Sequence, residues 1–266
     1  MSFLQEVLRI LDADMVKPEM YGWFHILSLL LTGFATFTLC RYSKKLQPRK
    51  VVLVTAIVVS LLEAYKQINY SFSYTDGISF DYQWYAFPFQ FCSTPMYIGL
   101  LAGLTKRGKL HDAANAYLAT YAVFAGVCVM LYPSTVFIRT IGINIQTMIC
   151  HGSMIAIGIY LLHRGYVKVE HKTILKAIPV FAVCVALACV MNELAYRTGL
   201  LETETFDMFF ISPYGTPSLP VYSLVQNVVP FPWCLVIYIA AFTLAAYLML
   251  LIAIGIKTLT KKKVTA

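Results

Sequence analysis

A thiol and an imidazole stand among the polar side chains that interrupt otherwise apolar runs of this chain, as Cys92 and His151. A thiol becomes a competent nucleophile when a neighbouring base takes its proton, and an imidazole at similar depth can do so. Cys150 directly precedes His151, but neighbouring helical residues diverge by about 100°, so Cys92 on another helix is the better-placed thiol. Asn144, Thr147 and His151 fall at i, i+3 and i+7, one stripe of a helix. Glu63 and Lys66 are spaced i, i+3, which suits either a structural ion pair or a direct chemical role. His25 and Asn192 carry polar groups into two further apolar runs, and Gln90 lies two residues before Cys92. Pro95 has no N–H to give to the carbonyl of Phe91, so a free acceptor is expected beside Cys92.

The elements that must hold these groups are membrane spans. The chain has 266 residues, 59% hydrophobic and 13% charged, against about 25% charged in an ordinary soluble domain. A helix needs roughly 20 apolar residues to cross the hydrocarbon core. Seven stretches qualify: Tyr21–Cys40, Val51–Ile68, Tyr85–Leu104, Ala113–Leu131, Ile143–Leu162, Ile174–Ala195 and Trp233–Ile256. The expectation is an all-α, polytopic membrane helix bundle of seven transmembrane helices, forming one transmembrane domain over residues 1–266.

Charge sets the orientation. The +8 net charge would suit a nucleic-acid binder if it formed one patch, but Lys and Arg alternate between rich and poor segments. Residues before the first span hold Arg9 and Lys17; the first loop holds Arg41, Lys44, Lys45, Arg49 and Lys50; the second holds none. Loops three and five are basic again, four and six hold only Arg139 and Arg197, and the tail holds Lys257, Lys261, Lys262 and Lys263. That alternation places the N-terminus outside and the C-terminus in the cytoplasm, and no nucleic acid is implied.

On this orientation the polar residues of five spans lie within roughly 15 Å of the outer face. They predict a hydrated polar cavity opening outward. Residues 1–20 read as an interfacial amphipathic segment, with Phe3, Leu4, Val7, Leu8 and Leu11 at helical spacing. Residues 196–232 form a long, proline-rich and apolar outer loop, suited to a lid, a re-entrant piece or a packed structural loop. The seven cysteines all fall within or at the ends of spans, so no disulfide framework is implied.

Pro88-Phe-Gln-Phe-Cys92 and Cys150-His151-Gly152, with His25 and Asn192, carry a resemblance. The chain resembles the YwaF-like family of bacterial integral membrane proteins, which is similar to an animal multi-span acyltransferase of ether phospholipids. The resemblance implies a multi-pass protein of a bacterial cell membrane with Cys92 as nucleophile and His151 as base. Gln90 stands where many members of that family carry histidine. The implied chemistry moves an acyl chain between phospholipids through a thioester, with membrane phospholipid and lysophospholipid as partners. Gln90, Asn144 or Asn192 would stabilise the oxyanion. Neither a cofactor nor a metal is called for, and no nucleotide-binding glycine motif is present. The oligomeric state is left open.

Other functions fit the same residues. A small-solute transporter or channel would use the polar layer as its pathway, although no internal repeat of the kind many transporters carry is visible. A seven-helix receptor or a scaffold would use it for signalling or packing. A retinal protein is excluded on this reading, because Trp233–Ile256 holds no lysine for a Schiff base.

Overall fold

The computed structural model describes residues 6, 9, 10, 12–73, 78–215 and 219–265. In chain order its helices are α1 (Trp23–Arg41), α2 (Pro48–Ser71), α3 (Thr94–Leu104), α4 (Lys109–Leu118), α5 (Tyr121–Leu131), α6 (Ile141–His163), α7 (Lys172–Arg197), α8 (Pro220–Gln226) and α9 (Phe231–Thr265). A two-residue hairpin, β1 (Phe72–Ser73) and β2 (Ser79–Phe80), follows α2 and pairs antiparallel. Its register sets Phe72 opposite Phe80, and their rings lie 5.0 Å apart.

Among the described residues six helical stretches are long and apolar enough to cross a membrane, α4 and α5 together forming one of them. The third anticipated stretch, Tyr85–Leu104, is helical in its α form only over Thr94–Leu104. Pro88 and Pro95 explain the shortening. Pro95 enters at the first turn of α3, where a missing N–H costs nothing, and residues 87–93 ahead of it take an irregular path. The fourth stretch is also broken, at Ala119 and Thr120, between α4 and α5.

The bundle is arranged around α6. This helix packs on α1, α2 and α5, and most of its residues are buried, His151 among them. Glycines permit the close approaches. A Cβ at Gly126 would stand 2.7 Å from the carbonyl oxygen of His151, and one at Gly152 would collide with Thr32 of α1. By contrast α1 and α9 expose large apolar side chains such as Phe34, Phe37, Leu244 and Ile252. Bands of that kind on outer helices suit contact with lipid.

Of the N-terminal segment, Phe3, Leu4, Val7, Leu8 and Leu11 lie outside the described residues, while Arg9 pairs with Glu6 at 2.6 Å. From Asp12 to Gly22 the chain is not helical. It lies against the segment before α6 instead: the Met15 N–H donates to Arg139 at 2.6 Å and the Ile141 N–H to Ala13 at 3.1 Å. Backbone pairing here satisfies groups that a free interfacial segment would leave to water.

Candidate functional site

Near its C-terminal end α2 turns Glu63 and Lys66 inward, and the two form an ion pair at 2.7 Å with both side chains largely buried. The carboxylate is held by more than the ammonium. Gln67 donates to Glu63 Oε1 at 2.9 Å, and Gln146 of α6 makes a longer bond to Oε2 at 3.3 Å. Gln67 also donates to the Ala86 carbonyl at 2.8 Å and accepts from the Tyr82 hydroxyl at 3.0 Å. A buried charge pair is tolerable when its remaining hydrogen-bonding capacity is met in this way.

Two thiols and an imidazole feel the charges of the pair. Gln146 Nε2 approaches Cys150 Sγ at 3.4 Å. Lys66 lies within electrostatic reach of Cys92, Cys150 and His151, and Glu63 within reach of both thiols. The Glu63–Lys66 pair is thus the centre of a hydrogen-bonded network. Gln67, Tyr82, Gln146 and Cys150 extend it.

His151 is held by its own helix. Nδ1 sits 2.7 Å from the Thr147 carbonyl one turn earlier. A carbonyl can only accept, so Nδ1 carries the proton and Nε2 keeps its lone pair. That Nε2 atom is buried and has no hydrogen-bond partner among the described residues. Buried polar atoms are nearly always paired, so an exception calls for a reason. Thr147 therefore acts through its backbone; its hydroxyl makes a long bond to Gln146 Oε1 at 3.4 Å.

Cys92, partly buried, lies in the irregular turn ahead of α3, where the Ser93 and Thr94 N–H groups both donate to the Gln90 carbonyl. The Phe91 carbonyl that Pro95 cannot serve is not free. The Thr94 hydroxyl donates to it at 2.8 Å and meets the Tyr117 hydroxyl at 2.6 Å. A side chain one turn on has replaced the missing backbone donor, a common repair beside proline in membrane helices.

Gln90 and Asn192 share a different task. Gln90 donates to the Asp207 carbonyl at 2.8 Å and accepts from the Phe209 N–H at 2.9 Å. Asn192 of α7 accepts from the Met208 N–H at 2.7 Å and donates to its carbonyl at 3.0 Å. Two side-chain amides thus clamp three successive residues of the long loop. The clamped segment is inserted among the helices rather than laid over them: Met208, Phe209 and Ile211 are fully buried. Phe209 meets the rings of Phe89, Phe91 and Phe181, and its carbonyl accepts from Tyr238 at 3.0 Å. Phe209 and Phe210 take positive φ, 61° and 56°, a strained choice for aromatic residues that the clamps sustain. Asp207 accepts from the Ser212 N–H at 2.8 Å. Burial pushes its carboxyl up to about 6.

Two expected members of the polar layer lie apart. His25 accepts from the Tyr21 N–H at 2.9 Å and bonds the Met130 carbonyl at 2.8 Å, joining α1 to the end of α5 with both ring nitrogens in use. Asn144 closes the turn before α6, donating to the Ile138 carbonyl at 2.8 Å and accepting from its N–H at 3.0 Å. Instead of lining one open cavity, most of these groups spend their hydrogen bonds on each other or on nearby backbone. Near the pair, a narrow cleft of about 30 Å³ reaches Cys150 and Pro95 between α2, α3 and α6. Sequence reasoning passed over Asp207 and Tyr82, since loop residues carry no periodicity to mark them.

The family model of the TMEM164 family matches residues 20–251, nearly the whole bundle, and the chain belongs to that family. No curated protein and no solved structure matches it.

Proposed function

We propose that this member of the TMEM164 family is a membrane-embedded lipid acyltransferase in which Cys92 is the nucleophile and His151 the base. The observation that carries the reading is the buried, unpartnered Nε2 of His151, whose tautomer is set by the Thr147 carbonyl. It is a proton acceptor with nothing yet to accept.

In the proposed reaction Nε2 takes the Cys92 proton and the thiolate attacks the ester carbonyl of a phospholipid. The tetrahedral intermediate collapses with cleavage of the C–O bond, and the imidazolium returns the proton to the departing lysolipid oxygen. A second lysolipid then gives its hydroxyl proton to Nε2 and attacks the thioester. The thiolate leaves and recovers the proton, so the enzyme ends as it began. Lys66 is the natural partner for thiolate and oxyanion, since its ammonium has three N–H groups and one is committed to Glu63. Gln90, Asn144 and Asn192 are less suited to the oxyanion, because each amide is already fixed to backbone through its oxygen and one of its two N–H groups. The similarity to YwaF-like bacterial proteins supports the same assignment through Pro88-Phe-Gln-Phe-Cys92 and Cys150-His151-Gly152.

The reading includes seven crossings, the third made by the irregular Tyr85–Ser93 segment together with α3. The alternating Lys and Arg counts put the N-terminus outside and the C-terminus in the cytoplasm, as in a bacterial cell membrane. Incubation of the purified chain with phospholipid and lysophospholipid tests the chemistry. A hydroxylamine-sensitive acyl mass is expected on Cys92, reduced in His151→Ala and absent in Cys92→Ala. Full transfer by Cys92→Ala would overturn the assignment, and its loss in Cys150→Ala alone would move the nucleophile to the neighbouring thiol.

A further inference from the structure

At the opposite end of the bundle from the Glu63–Lys66 pair, the 105–108 and 164–171 loops enclose a cavity of about 620 Å³. That volume lies within the range of roughly 300–1,000 Å³ typical of small-ligand sites. Four cationic side chains line it, Arg107, Arg164, Lys168 and Lys176, against a single carboxylate, Asp112. Among the described residues the ion pairs are Glu6–Arg9, Glu63–Lys66 and Glu193–Arg197, so none of the four is neutralised in that way.

Topology alone explains why basic residues sit in these loops, but not why they line a concavity with no hydrogen bond from their charged groups among the described residues. Basic residues nearby that serve the fold have found carbonyls. Arg49 donates to Gly103 and Leu104 at 2.7 and 2.8 Å, and Lys257 to Val169 at 3.2 Å. The wall of the cavity is also built. The Arg107 guanidinium stacks 5.2 Å above the Tyr166 ring, and the Tyr166 hydroxyl bonds His111 Nε2, a buried group, at 2.8 Å. The Lys168 carbonyl is held by the Thr173 hydroxyl at 2.6 Å. At the rim α4 starts from Gly108 with no side-chain cap, so its first amides have no helical partner.

We propose that this cavity binds a phosphate-bearing anion, a phosphomonoester or a diphosphate group. Four cations less one carboxylate leave a local charge of +3. A phosphomonoester carrying about −1.5 to −2 matches that better than a lone carboxylate does. Guanidinium groups suit phosphate oxygens because they present paired donors. The group can arrive on the headgroup of an anionic lipid, for which the proposed orientation supplies a cytoplasmic leaflet, or on a soluble phosphorylated compound. The inference does not depend on the acyl-transfer reading.

Titration of the full-length protein in detergent with inorganic pyrophosphate and, separately, with dioctanoyl phosphatidate distinguishes the two sources. Saturable binding of at least one is expected, with dioctanoyl phosphatidylcholine as the zwitterionic control. Binding of phosphatidate alone assigns a lipid headgroup, and binding of both assigns the phosphate group itself. The exposed pair Arg164→Gln/Lys168→Gln should weaken it by about tenfold or more, the scale of losing charge-assisted contacts. Lys44→Gln/Lys50→Gln removes equal charge from the first loop and the start of α2, where neither side chain lines the cavity, and should leave affinity unchanged. Asp112→Asn should tighten binding. Absence of saturable binding by either probe, or equal weakening by the two double variants, overturns the proposal.

Discussion

The two ends of this bundle treat polar groups in opposite ways. Around Glu63 the carboxylate oxygens and the Gln67 and Gln146 amides are spent on neighbours, while Nε2 of His151 has no partner among the described residues. In the 620 Å³ cavity four cationic side chains share one carboxylate and remain without ion pairs among the described residues. Water accounts for the difference. Where hydrocarbon or packed protein surrounds a polar group, leaving it unpaired costs several kcal/mol. At the basic end the side chains are exposed, and a free cation costs little. An unsatisfied atom is therefore informative at the first end, whereas a shaped concentration of charge is informative at the second.

The contrast predicts how each end breaks. The largest effect is expected at His151. His151→Ala should lower transfer by two orders of magnitude or more, the range of a general base's contribution, with an unchanged melting temperature. If acyl transfer persists undiminished while melting falls, Nε2 is a packing defect rather than a base.

Next in size is the buried pair. Glu63→Gln or Lys66→Met alone leaves its partner's charge unpaired and should cost about 3–5 kcal/mol. Glu63→Leu/Lys66→Leu together should recover much of that loss, as measured by thermal unfolding in detergent. Additive losses in the double variant would show that the network stabilises by its individual hydrogen bonds instead.

The amide clamps come third. Asn192→Leu removes both partners of the buried Met208 backbone, at about 1–3 kcal/mol for each group left unpaired. It should also open the Phe206–Ser212 segment to proteolysis. Protection equal to the parent's would mean that aromatic packing around Phe209 suffices to hold the loop.

The smallest effect concerns Asp207. Its carboxyl is raised by burial to about 6 from an ordinary value of 3.8, so between those values the folded chain holds a proton that the unfolded chain has lost. Stability should therefore fall as pH rises from about 4 to about 6 and level off above. Solvent reaches part of this loop, which limits the change to roughly 1–2 kcal/mol. Asp207→Asn should flatten the slope while keeping the acceptor for the Ser212 N–H. A slope unchanged in that variant would assign it to another group.

The limits of sequence reasoning follow the same division. Span positions were legible because a run of about 20 apolar residues has few other fates, and α1, α2, α6, α7 and α9 lie where those runs predicted. The third stretch was legible in its proline positions but not in its path, since the Thr94 hydroxyl that repairs Phe91 is a local choice with no periodic signature. Glu63–Lys66 was readable from i, i+3 spacing alone. His25 and Asn144 bond the backbone of neighbouring segments, a choice that spacing does not reveal, because facing direction depends on the neighbours a helix packs against.

Sequence by itself thus marked most of the long apolar helices, because apolar length is a property of the chain alone. Tertiary structure decided the rest. It chose which amides clamp the 207–209 backbone, which end of His151 keeps its lone pair, and how loops 59 residues apart, at Arg107 and Tyr166, close around one basic cavity. Those outcomes depend on contacts between distant residues, which no local pattern of residue types records.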